Sequence, residues 1–210
     1  MSRDHILHKI RTALGRSAGD PPPAPPEVRL RVLEASMEER IDRFCASLEA
    51  LAGKTCRAAS LEAAAEYVAC LTGGRPAIAS NAPFLRECGI TAIPGVCSGI
   101  RDREELRGLC AVAGFGITSA DYALADTGTL AMMASGSEAR LISLLPPVHI
   151  AILPRERLLT NLDELLTLVP LPVEERSSMV LITGPSRTAD IEQILVRGVH
   201  GPGEIHVVVV

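Results

Sequence analysis

A chain of 210 residues, 47% apolar and 22% charged, has the length and balance of a folded domain with a sizeable core rather than of a disordered segment. Aromatics make up only 2% and Trp is absent, so Ala, Leu, Ile and Val must fill the interior, and the platforms that stack single-stranded bases are missing. The net charge of −4 comes from interspersed signs that build no basic stripe, which speaks against a nucleic-acid partner.

In chain order, the first residues predict a short helix with Ile6, Ile10 and Leu14 on one face. Residues 17–27 follow as a stiff Pro-rich tether. A second helix carries Ile41, Phe44, Cys45, Leu48 and Leu51 at helical spacing, so residues 1–52 read as a helical arm and 53–210 as the α/β domain. Within that domain helices and apolar strands alternate. Ser60 to Thr72 predicts a helix, 75–79 a strand, and Asp102 to Glu105 the capped start of another helix. Strands are expected at 116–118, 127–134, 148–153, 178–182 and 204–210, with helices opening at Asn161 and after Thr188. Continuous apolar strands alternating with amphipathic helices imply an α/β fold, a mainly parallel sheet flanked by helices. In such sheets ligands gather at the carboxyl ends of strands, which directs attention to the loops after Ile117, Met133 and Ile182.

The N-terminus shows no leader of signal-peptide type and no run has the length of a membrane span, so a cytoplasmic protein is expected. Six cysteines are scattered with no Cys-x-x-Cys pair, which argues against a metal or iron–sulfur site in this chain and for reduced thiols. Lys9 and Lys54, the only lysines, lie far from the Gly-rich segments, which argues against a catalytic lysine.

Three segments could carry chemistry. Asp126-Thr127-Gly128-Thr129 leads into a strand, and its glycine would let backbone amides approach a ligand; an ordinary turn with local hydrogen bonds reads equally from the residues. Ser135-Gly136-Ser137 could form an anion loop at a helix start, with Arg140 as a planar fork for carboxylate or phosphate; a capped helix with a solvent-facing arginine is the alternative. His149, inside a strand, reads as a core histidine or as a proton-transfer group. The third segment, Thr183-Gly184-Pro185-Ser186-Arg187-Thr188, has the composition of an anion pocket at a strand's end. It lacks the Gly-Lys-Ser/Thr ending of a Walker A loop and is no dinucleotide fingerprint. The residues nominated for binding are Thr127, Gly128, Thr129, Ser135, Gly136, Arg140, Thr183, Gly184, Ser186 and Arg187.

Taken together, Gly116-Ile-Thr118, Asp126-Thr-Gly-Thr-Leu130, Ser143-Leu-Leu-Pro-Pro-Val-His-Ile-Ala151, Thr183-Gly-Pro-Ser-Arg-Thr-Ala-Asp190 and the Gly198-Val-His-Gly-Pro-Gly203 turn resemble the LUD domain family, in particular its LutC (YkgG) subgroup of lactate-utilisation proteins. The resemblance implies a fold like that of sugar-phosphate isomerases and CoA transferases. It also implies a part in oxidising L-lactate to pyruvate beside iron–sulfur partner proteins, with no cofactor in this chain. The ligand expected is a small carboxylate, phosphate or nucleotide, bound by an accessory subunit. A stand-alone enzyme of the CoA-transferase, isomerase or folate cyclo-ligase kind and a purely structural assembly subunit are the alternatives. Asp126 is the candidate catalytic carboxylate; the family often has Glu there, and Asp reaches one methylene less far.

Overall fold

The computed structural model describes residues 2–17, 19–21, 35–170, 177–188 and 196–210. The chain divides into two units, Met1–Leu30 and Arg31–Val210. In the first, helix α1 (Arg3–Ala13) is capped by Ser2, whose side chain accepts from the His5 amide. Its apolar positions Ile6, Ile10 and Leu14 are exposed. Most of the Pro-rich tether lies outside the described residues.

The second unit begins earlier than expected. Helix α2 (Met37–Ala50) opens with a full capping box, the Ser36 side chain accepting from the Glu39 amide while the Glu39 carboxylate accepts from the Ser36 amide. Its Ile41, Phe44 and Leu48 are buried against Leu153, Val207 and Val209. An arm ending at residue 52 is therefore not what forms. The apolar stripe of α2 covers the sheet, and this helix belongs to the α/β body.

That body is built on a six-stranded sheet with every neighbouring pair parallel. Its strands are β1 (Lys54–Arg57), β2 (Ala77–Ala79), β3 (Val96–Cys97), β4 (Phe115–Ser119), β7 (Val148–Leu153) and β12 (Glu204–Val209), in the spatial order β1-β12-β7-β4-β2-β3. The intervening short strands are β5 (Tyr122–Leu124), β6 (Thr129–Met133), β8 (Leu158–Leu159), β9 (Met179–Ile182), β10 (Arg187–Thr188) and β11 (Val196–Arg197). Four of them form a second, mixed sheet in the order β8-β5-β6-β9, and β10 pairs with β11. The strands expected near 127–134 and 178–182 thus exist, but they run antiparallel to each other in the second sheet.

Alternation along β7 shows how the sheet is buried on both faces. Ile150 and Ile152 join Val68, Leu85 and Ile117 beneath α3 (Leu61–Thr72) and α4 (Pro83–Glu87). Ala151 and Leu153 point the other way, into the cluster shared by α2 and the second sheet. His149 has the same parity as Ala151 and faces that second side. Helix α3 is capped by Ser60 and stops at Gly73, whose φ of 57° suits a left-handed terminus. Helix α5 (Arg103–Val112) starts at Asp102, which accepts from the Glu105 amide. Asn161 does the same for Glu164 at the start of α6 (Leu162–Leu168). The helix expected after Thr188 lies outside the described residues.

Candidate functional site

Two cavities flank the Arg140 segment. The first rests on a close approach of chain to chain. Residues Arg140–Ser143 form a single 3-10 turn laid across β4. A Cβ on Gly116 would stand 1.9 Å from the Ile142 carbonyl oxygen, so only glycine lets the turn sit there. Expected as part of a capped helix, this segment is too short for one, and Arg140 does not face solvent freely. Its guanidinium is half-buried and donates to the Ser143 hydroxyl at 2.6 Å, and burial pushes its pKa down. The cavity beside it holds about 240 Å³, with Arg140, Ser143, His149, Thr183, Gly184 and Ser186 among its lining.

His149 is buried, with Nε2 2.8 Å from the Thr118 hydroxyl and Nδ1 without a partner. Burial, aided by the positive Arg140, pushes its pKa down to about 3, so the imidazole is neutral near neutral pH. Arg140 is thus the cationic partner beside His149 in this cavity, which His200 also lines. The cavity lies beside the second residues of β7 and β12, His149 and Ile205, which are register partners. It is not at the carboxyl ends of the parallel strands.

Thr127, Thr129 and Thr183 form a chain of hydroxyls, each 2.8 Å from the next, joining the β5–β6 turn to the end of β9. Gly128 sits at φ 64°, where a Cβ would meet the Leu48 backbone nitrogen at 2.4 Å. The Asp126 carbonyl accepts from the Ser47 hydroxyl, and its amide donates to the Thr160 carbonyl. This segment is a hairpin turn seated on α2, and the exposed Asp126 lines neither cavity. Arg187, exposed on β10, lines neither as well. Of the nominated residues, Arg140, Thr183, Gly184 and Ser186 are therefore brought together around the first cavity and Gly136 lines the second; Thr129 reaches the first only through Thr183, the Arg187 guanidinium lies beside Gly184 without lining that cavity, and Asp126, Thr127 and Gly128 line neither.

The second cavity, about 690 Å³, lies at the carboxyl ends of β2 and β3 and is closed by Gly136, Ser137, Ala139 and Ile142 of the connection between β4 and β7. The chain leaves β2 toward β3 at the sheet edge, whereas the connection after β4 runs through the second sheet and the Gly136–Ile142 segment to β7 on the other side, so a gap opens between the ends of β2 and β4 beside the cavity. Glu138 bridges it. One carboxylate oxygen accepts from the Ser80 hydroxyl at 2.8 Å and from the Ser119 amide at 3.4 Å, while the other has no partner. Burial pushes its pKa up to about 8 against the lowering pull of those two bonds, and the nearby Asp121 adds to the rise. Ser135 does not open an anion loop here. Its hydroxyl accepts from the Ser137 and Glu138 amides, closing the turn on itself.

Sequence reasoning missed Ser80, Asn81 and Glu138. One signal was present: Glu138 is the sole acid between Asp126 and Glu156, set among small residues.

The LUD domain family model matches residues 41–210. A lactate utilization protein C from Halalkalibacterium halodurans is 43% identical over 94 residues, covering 43% of this chain and 41% of that protein. One from Exiguobacterium sp. is 40% identical over 111 residues, covering 51% of this chain and 48% of its own length. The chain thus spans less than half the length of these curated relatives. A DUF162 family protein from Deinococcus radiodurans, solved by crystallography, superposes with a TM-score of 0.64 over 84% of this chain and 99% of its own, at 18% identity, a likeness of fold. Because the family model runs from the middle of α2 through β12, across both sheets and both cavities, the chain belongs to the LUD domain family.

Proposed function

We propose that this chain serves lactate utilisation as an accessory subunit that binds a small carboxylate in the Arg140 cavity, beside iron–sulfur partner proteins that carry the electrons. The relatives' names as lactate utilization proteins support the first half of that reading. The observation that carries the second is the half-buried Arg140, held by Ser143 and bordered by Thr183 and Ser186 in about 240 Å³. A guanidinium partly removed from water binds a carboxylate more strongly than an exposed one, because desolvation has already been met in folding. Neutral His149 leaves the charge pairing to Arg140, and Leu144, Val180 and Ile205 in the lining suit a methyl group.

The test is a thermal-shift titration of the full chain with L-lactate and with pyruvate. A ligand at a hundredfold its Kd adds about 2.7 kcal/mol, or roughly 5–10 °C for a body of this size. The shift should vanish in Arg140→Ala and persist in Arg187→Ala, which lies outside the cavity. Absence of any shift with both carboxylates would overturn the binding half of the proposal.

A further inference from the structure

The larger cavity is not needed for the reading above, and its chemistry differs. We propose that the crevice at the carboxyl ends of β2 and β3, walled by the Gly136–Ile142 segment, is a separate ligand site for a phosphorylated, hydroxyl-bearing small molecule, with Arg86 and Arg101 at its mouth taking the phosphate and Ser80 and Ser98 meeting the hydroxyls.

Position is the first argument. Loops leaving neighbouring parallel strands in opposite directions open a pocket that no side chain of the sheet fills, and ligands of open α/β sheets collect there. At about 690 Å³ the space suits a small metabolite.

Charge is the second. Arg40, Arg57 and Arg155 each reach a carboxylate, whereas Arg86 and Arg101 have neither an ion pair nor a hydrogen bond among the described residues. Both border the same cavity, and no Asp or Glu lines it. Glu138, directly beneath, is held largely neutral by burial at physiological pH, so it does not repel an anion. Two unneutralised guanidiniums facing an acid-free crevice fit a phosphate, which takes several charge-assisted hydrogen bonds at once.

Rigidity is the third. The Asn81 side chain donates to the Ile100 carbonyl at 2.8 Å and accepts from the Gly99 amide at 2.7 Å. That double contact ties the loop carrying Ser98 and Arg101 to the end of β2, so little ordering is left to be done on binding. With its proton donated to Glu138 and a long 3.5 Å bond accepted from the Ala82 amide, the Ser80 oxygen keeps one lone pair for a ligand hydroxyl. Among the lining residues none is aromatic, which disfavours a stacked base and favours a polyol. Glu138 is here a positioning residue acting through Ser80.

Calorimetric titration of the full chain with glucose 6-phosphate, glucose and inorganic phosphate tests this, alongside amide shifts read by NMR. Saturable binding of glucose 6-phosphate is expected, stronger than that of inorganic phosphate and absent for glucose. The amides of Gly99 and Gly136 should move. A double Arg86→Ala, Arg101→Ala variant, both positions being exposed, should fold normally and bind at least about tenfold more weakly. Arg155→Ala, exposed and lining neither cavity, should bind as the parent does, which separates loss of the site from loss of surface charge. No saturable heat up to millimolar ligand would overturn the proposal, as would undiminished binding by the double variant. Equal affinity for inorganic phosphate would overturn its hydroxyl half, and an equal loss in Arg155→Ala would overturn the assignment to this crevice.

Discussion

Glu138 and Gly116 show how single residues set the candidate sites. The Glu138 carboxyl has a folded pKa of about 8 against an ordinary value of 4.5, so between those values the folded state keeps a proton that the unfolded chain has released. Its contribution to stability is therefore full below pH 4.5 and is lost as pH rises through about 8. Glu138→Gln has no proton to lose. Compared with the parent by urea unfolding, it should gain relative stability as pH rises across that window, by on the order of 2–4 kcal/mol at the alkaline end. An unchanged difference between the two proteins across pH would sink this account. His149 acts with the opposite sign. Its folded pKa lies at about 3, so stability is full above its ordinary 6.5 and declines as pH falls from there. Gly116→Ala would drive a methyl group into the Ile142 carbonyl, a backbone neighbour that cannot swing aside. A loss of about 3 kcal/mol is expected in urea unfolding, together with loss of carboxylate binding as the Arg140–Ser143 turn is displaced.

At the scale of elements, α2 is the clearest test. Phe44 is fully buried against strands of both sheets, so Phe44→Ala should cost about 3–5 kcal/mol by chemical denaturation. A change under about 1 kcal/mol would mean that the helix is a detachable arm after all. The periodicity of Ile41, Phe44 and Leu48 made this helix legible, but periodicity reports that a face is buried and not what buries it. Strands β4, β7 and β12 were legible for the same reason, being long apolar runs. Strands β1, β3, β5 and β8 are two to four residues each, too short for any period to register. The second sheet escaped notice because β6 and β9 are as apolar as parallel strands, covered by α2 on one side and α6 on the other. The rule about carboxyl ends was then applied to two strands outside the parallel sheet. The Thr183–Ser186 loop still met Arg140, for a reason of tertiary packing that no local pattern encodes. Ser80 and Asn81 were invisible because their importance comes from partners distant in sequence, Glu138 for Ser80 and the Gly99–Ile100 loop for Asn81.

Across the whole molecule, protection should follow the sheet order. The amides of β7, β4 and β12, paired on both sides and buried on both faces, should exchange with solvent last, while β10 and β11, a two-residue ladder, should exchange early. Hydrogen-exchange mass spectrometry reads this directly, and early exchange of β12 would contradict the strand order. That order also has a bearing on synthesis. Strand β12 lies between β1 and β7, so β1, made about 150 residues earlier, has no neighbour to pair with until Glu204–Val209 have emerged. A nascent chain on the ribosome holds α2 and β1 with their contacts to Ile205, Val207 and Val209 still unmade. Its final closure is a long-range event in which the last strand slides between two waiting edges, and stalling just short of Glu204 would leave an exposed, aggregation-prone gap in the middle of the sheet.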